Sequence, residues 1–298
     1  MTDAIRRLWG AMPWFDGAGR FSLLRLVTLV LIALPAGWLA LEFTSGNWDF
    51  PSPYVPLIYH SGLWATYLLL LSLLVTPLRR MTGWGRLAQL RRMLGVACFL
   101  YGVLHLLAWF GLRVWDWASL GNEALARPSL WAALVSLLIL VALAATSFDS
   151  AIRALGAGRW KQLHRLVYFA ALLAVLHFLL SPGSLQGAPF LMAGGYVWLM
   201  GWRWLENRRL GTSGAALAFL GLAASAFTLL LQPVWLVTFQ AERVSATPWS
   251  AIADNFSPEI WRYLGIPPVW LMLAWTAASV AITALRRLVT FQKTISHS

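Results

Sequence analysis

Eight apolar runs, each about long enough to cross a lipid bilayer, dominate this sequence and leave little aqueous chain between them. They fall at about 21–43, 57–76, 92–112, 129–148, 162–181, 188–205, 212–237 and 266–286. A helix of roughly 20 apolar residues, rising about 1.5 Å per residue, matches the hydrocarbon thickness of a membrane. With 59% hydrophobic and only 11% charged residues, the chain is too apolar for a soluble domain. Trp is abundant, at 19 copies, and many stand near the ends of runs, as Trp48, Trp115, Trp202 and Trp249 do. That is the pattern of an interfacial aromatic belt. The expected fold is an all-α integral membrane protein, a bundle of about eight transmembrane helices.

Lys and Arg orient the bundle. With the N-terminus inside, 19 of the 23 basic residues fall on the inner side, and only Arg113, Arg127, Arg243 and Arg262 fall outside. The positive-inside rule then places both termini in the cytoplasm. The net charge of +12 is scattered between the runs and implies no nucleic acid; lipid is the expected surroundings. Residues 1–20 read as a retained cytoplasmic tail, because no compact apolar core and cleavage site follow the arginines. The largest aqueous stretch, about 238–265 on the outside, contains "SPEIWRYLG", a candidate surface helix. No segment is large enough for a nucleotide-binding domain, and no G-x-G-x-x-G follows a strand. Cys98, the single cysteine, lies in an apolar run and reads as a buried structural thiol.

The informative residues are histidines inside the runs. His105 lies thirteen residues beyond Arg92, and His177 thirteen beyond His164 near the inner end of the fifth run. At about 1.5 Å per residue, His105 and His177 reach the same level, roughly 20 Å from the inner surface. Two neutral imidazoles on separate helices at one depth are what a b-type haem needs for its axial positions. Gly102, Ala170, Ala171 and Ala174 leave room for a flat ring. For a lone intramembrane histidine the bland alternative is a hydrogen bond to a neighbouring helix carbonyl. Covalent haem attachment is not indicated, since C-x-x-C-H is missing.

His164 lies about 140° around an ideal helix from His177. It could serve a second cofactor, a quinone or a flavin near the inner surface, or be an interfacial histidine beside Arg165. His60 opens the second run on the outside, where a packing role competes with contact to a haem edge or partner. His297 lies in the tail and receives no role. Arg79, Arg80, Arg91, Arg92 and Arg165 are topology signals first and candidate contacts for a cofactor or anion second. Arg113 and Arg127 could pair with outer propionates or outer carboxylates.

The segments "TPLRR", "RRMLGVACFLYGVLHL", "ARPSLWAALVSLLILVALAATS" and "LGAGRWKQLHRLVYFAALLAVLHFLLS" resemble the YedZ/MsrQ family, within the ferric-reductase-like transmembrane superfamily. The resemblance covers roughly residues 57–205. It implies a haem b subunit of the bacterial inner membrane, multi-pass, with His105, His177 and His164 haem-associated and His60 matching a further family histidine. It also implies FMN or quinone as further cofactor. Electrons would pass from a quinol or flavin reductase donor to a periplasmic molybdopterin methionine sulfoxide reductase, MsrP, making the chain the electron-transfer subunit of an oxidoreductase complex. On this reading a six-helix core occupies 21–210. Residues 211–298 add two helices, an outer loop and a short cytoplasmic tail. A membrane ferric or cupric reductase is the alternative within redox chemistry. A histidine-containing transporter or assembly factor is the alternative outside it, although the eleven Asp and Glu all fall near helix ends or in loops.

Overall fold

The computed structural model describes residues 12–15, 19–48, 51–181, 187–239 and 247–295. Most of the expected N-terminal tail, Arg243 and His297 lie outside these residues. Within them the chain is helical, with an isolated antiparallel bridge between Phe15 and Phe21. The helices are α1 (Leu23–Thr44), α2 (Tyr54–Thr82), α3 (Leu90–Leu112), α4 (Trp117–Ala126), α5 (Pro128–Ala145), α6 (Asp149–Leu155) and α7 (Ala157–His164). They continue with α8 (Leu166–Leu179), α9 (Ala188–Asn207), α10 (Gly214–Phe239), α11 (Pro248–Ala253), α12 (Pro258–Leu264) and α13 (Pro268–Ile295).

Among the described residues, seven spans are long and apolar enough to cross a membrane: α1, α2, α3 with its leading turn, α5, α7–α8 together, α10 and α13. This is a multi-pass membrane protein. The eighth expected segment is α9, 20 residues long. It has the length of a span, but Arg203, Glu206 and Asn207 at its end make it less apolar than the others.

Among the departures from the apolar runs, four have a clear local reason. α2 passes through Pro77 to Thr82, because the helix is resumed by Thr82 Oγ1 donating to Leu78 O and by Gly83 N donating to Arg79 O. Gly83, at φ +77°, is what stops it. α13 continues past the apolar run and carries Arg286 and Arg287 on helix. The fifth run is divided at Arg165, whose N–H donates to Lys161 O and Gln162 O, while Tyr168 N–H donates to Arg165 O. Three-residue spacing tightens this joint, so a uniform 100° per residue no longer relates His164 to His177. Finally, α4 forms where a loop was expected. Asp116 caps it by accepting from Ala118 N and Ser119 N at 3.1 and 3.3 Å.

The chain groups into two compact units, residues 1–75 with 86–174, and residues 76–85 with 175–298. In the first, Tyr101 Oη donates to Ile32 O (2.8 Å), tying α3 to α1. Ser136 Oγ donates to Ala170 O (2.9 Å), tying α5 to α8. Ala170 and Ala171 are fully buried, and a Cβ on Gly102 would lie 3.4 Å from Leu137 Cδ1. These small residues therefore let helices approach each other in this unit. Glu123 on α4, with its side chain 12% exposed, pairs with both Arg113 (2.6 Å) and Arg127. Both arginines thus hold a carboxylate of this chain.

In the second unit, α10 packs closely against α9 and α13. Gly194 faces Thr228, and Gly221 faces Thr276, so closely that a Cβ on either glycine would collide with the threonine. Small residues are the usual means of close helix approach in lipid. Gly221→Ala is expected to destabilise this unit by about 1–3 kcal/mol through overpacking, lowering the thermal midpoint in detergent. Gly95→Ala, with nothing within 4 Å of the new Cβ, should leave the midpoint unchanged. The expected helix in "SPEIWRYLG" is α12. Its segment is organised by Asn255, only 3% exposed, which donates to Gln232 Oε1 and Ala251 O and accepts at its carbonyl from Trp261 Nε1 and Trp270 Nε1.

Candidate functional site

α3 places His105 against α2. Its Nδ1 lies 2.8 Å from the carbonyl oxygen of Ile58. A carbonyl only accepts, so the proton sits on Nδ1 and the lone pair of the neutral ring is on Nε2. This is the helix-carbonyl bond expected of a lone intramembrane histidine. It is also the bond that commonly fixes the tautomer of a metal-bound histidine. The ring lies over Gly62, where an added Cβ would come within 2.8 Å of Nδ1 and 2.9 Å of Cε1.

His60 stands on the same turn of α2, in an aromatic enclosure. Its ring stacks on Trp48 at 5.8 Å and 15°, and meets Trp38 and Tyr59 edge-on at 4.9 and 5.1 Å. Those contacts are packing contacts.

His164 ends α7 and has the opposite tautomer. Thr146 Oγ1 donates its one proton to Ala142 O (2.7 Å), so at 3.1 Å it accepts from His164 Nε2–H. The His164 lone pair is then on Nδ1. Trp160 stacks on the ring at 4.0 Å and 28°, and its Nε1–H donates to Thr146 O at 2.8 Å. One residue at the end of α5 thus holds both members of the stack. His177, half-buried in the last turn of α8, carries a backbone carbonyl that accepts from Ser181 Oγ (2.6 Å).

The basic candidates divide. Arg92 is bound to Asp149 at 2.7 Å. The hydrogen bond and charge of Arg92, with a further contribution from Arg153, hold the Asp149 carboxyl below the usual carboxylate range. Arg80 pairs with Glu206 at 3.4 Å, and its carbonyl accepts from Arg286. Arg79 is half-buried, whereas Arg91 and Arg165 are exposed.

A family model described as ferric reductase like transmembrane component matches residues 61–175. The protein-methionine-sulfoxide reductase heme-binding subunit MsrQ of Azospira oryzae is 37% identical over 64% of this chain and 82% of its own length. The MsrQ of Cronobacter sakazakii is 37% identical over 64% of this chain and 96% of that protein. That of Bordetella pertussis is 40% identical over 62% and 92%. The chain belongs to the YedZ/MsrQ family. No solved structure matches it. The segment matched by the family model takes in Gly62, His105, Thr146 and His164, and ends two residues before His177. About a third of this YedZ/MsrQ chain lies outside each of the three alignments with its relatives.

Three participants received no site role from the sequence: Gly62, Thr146 and Trp160. Trp160 had a signal, since it stands four residues before His164, one helical turn away. Gly62 had a weaker one, as a glycine within an apolar run beside His60. Thr146 stands in a segment that carries the family resemblance, but its role depends on where the end of α5 meets α7.

Proposed function

We propose that this protein is a b-type haem electron-transfer subunit of the bacterial inner membrane. It takes electrons from a quinol or reduced flavin (FMN) on the cytoplasmic side and delivers them to a periplasmic molybdopterin methionine sulfoxide reductase. The observation that carries the reading is the tautomer of His105. Bonding of Nδ1–H to Ile58 O directs the lone pair to Nε2, the nitrogen that an axial ligand offers to iron, in a chain whose relatives are named heme-binding subunits. Haem, when bound, supplies one-electron chemistry. His105 and His177 are assigned as its axial ligands on the depth of each along its own helix. His164 presents Nδ1, with Nε2–H engaged by Thr146, and is assigned to the donor's side of the membrane. Arg79, Arg80, Arg91, Arg92 and Arg165 are assigned to anionic groups there by their charge and inner-side position, with Arg80 and Arg92 also holding carboxylates of this chain.

The protein purified from haem-replete cells should be red, with a low-spin b-type spectrum that acid–organic extraction removes. A colourless preparation would sink the haem reading and favour a histidine-containing transporter. Co-purification of a molybdenum enzyme distinguishes the electron-transfer subunit from a ferric or cupric reductase.

A further inference from the structure

We propose that the Ile58–Gly62 turn of α2 is a built seat that orients His105 and tunes it as an iron ligand; the inference rests on the haem reading above. Two contacts on one edge of the imidazole make the seat. The Ile58 carbonyl receives Nδ1–H at 2.8 Å, and the bare Cα of Gly62 lets the ring come close enough to make that bond. Any Cβ at position 62 would meet Nδ1 and Cε1 at 2.8 and 2.9 Å, inside the distance that non-bonded carbon and nitrogen tolerate. Alanine would therefore push the ring off the carbonyl.

The turn carries a second feature that bears on the same oxygen. Ser61, fully buried, donates through Oγ to Leu57 O at 2.5 Å and approaches Ile58 O at 3.2 Å. The shorter bond takes the hydroxyl's single proton, and the Ile58 carbonyl, with two lone pairs, can accept from the imidazole. Donation from Nδ1–H places more negative charge on the ring. A more basic Nε2 favours ferric over ferrous iron and lowers the midpoint potential. The seat also fixes the orientation of the ring that would hold the iron. Gly62 and Ile58 are thus positioning residues, acting through His105.

The test uses the full-length, haem-loaded protein in detergent, comparing Gly62→Ala with Gly95→Ala. Gly95 shares α3 with His105, but a Cβ there meets nothing within 4 Å. For Gly62→Ala the midpoint potential should rise, the low-spin ferric EPR signal should shift, and haem affinity should fall about tenfold or more. Gly95→Ala should match wild type in all three. Wild-type potential and EPR signal in a haem-replete Gly62→Ala protein would overturn the seat. Should that variant fail to insert or hold no haem, redox difference infrared spectra of wild-type protein labelled with 15N-histidine decide. A hydrogen-bonded Nδ1–H on an axial ring is expected, and its absence from both axial rings would overturn the proposal. The underlying haem reading fails by a different result, a haemless wild type or a haem-replete His105→Ala protein.

Discussion

His105→Ala and His177→Ala should each yield protein without its outer haem, whereas His60→Ala should retain most of it. A six-coordinate haem iron held by two imidazoles has no other anchor of comparable strength. On the proposed assignment, each ligand would lie at a depth where water cannot take its place cheaply. Loss of either should therefore be nearly complete, not graded. His60 differs because it is not one of the two histidines assigned to the iron by depth, and its ring packs among Trp48, Trp38 and Tyr59. Removing it should loosen that aromatic cluster and lower thermal stability while leaving the iron ligands in place. Haem per protein, measured as the pyridine haemochrome against peptide concentration, reads both effects. A His177→Ala protein with full haem would refute the axial pairing, and a haemless His60→Ala protein would put iron on α2.

How far the sequence leads can be judged from these same residues. The spans were legible because an apolar run of about 20 residues has few alternatives in water or in lipid. Their ends were less so. Pro77 reads as a stop, yet α2 continues to Gly83, and only a left-handed glycine ends it. The joint at Arg165 has no Gly or Pro to announce it. α4 is too short and polar for a span, so its Asp116 cap was the only signal. Asn255 shows the limit clearly: a polar residue in a loop became the buried hub for two tryptophans and a glutamine. At the site, residue type and depth singled out His105 and His177 and left His164 between a cofactor role and an interfacial one. The tautomers of His105 and His164 did not follow from depth. They depend on what each ring touches, a carbonyl for one and an already committed hydroxyl for the other.

That difference in tautomer underlies the second large effect. His164→Ala should slow haem reduction by a cytoplasmic-side donor on the order of tenfold or more, while much of the outer haem is retained. On the proposed orientation, His105 and His177 each lie roughly 20 Å along their own helices from the inner surface, and a group near that surface would receive the electrons first. His164 suits the handling of a quinol or flavin because its orientation is set twice. Thr146 Oγ1 accepts its Nε2–H, and Trp160, itself held by Thr146 O, covers its face. The ring then presents Nδ1 as an acceptor toward a donor hydroxyl or N–H, the geometry that proton-coupled oxidation requires. Thr146→Val keeps the imidazole but removes the hydroxyl that orients it, and should slow reduction less than His164→Ala does. Stopped-flow reduction of vesicles with the cytoplasmic side exposed measures both variants against wild type. If His164→Ala is reduced as fast as wild type, His164 is an interfacial histidine stacked on a tryptophan, and the donor binds elsewhere. If it loses the haem instead, His164 belongs to the iron, and its bond to Thr146 must give way when haem enters.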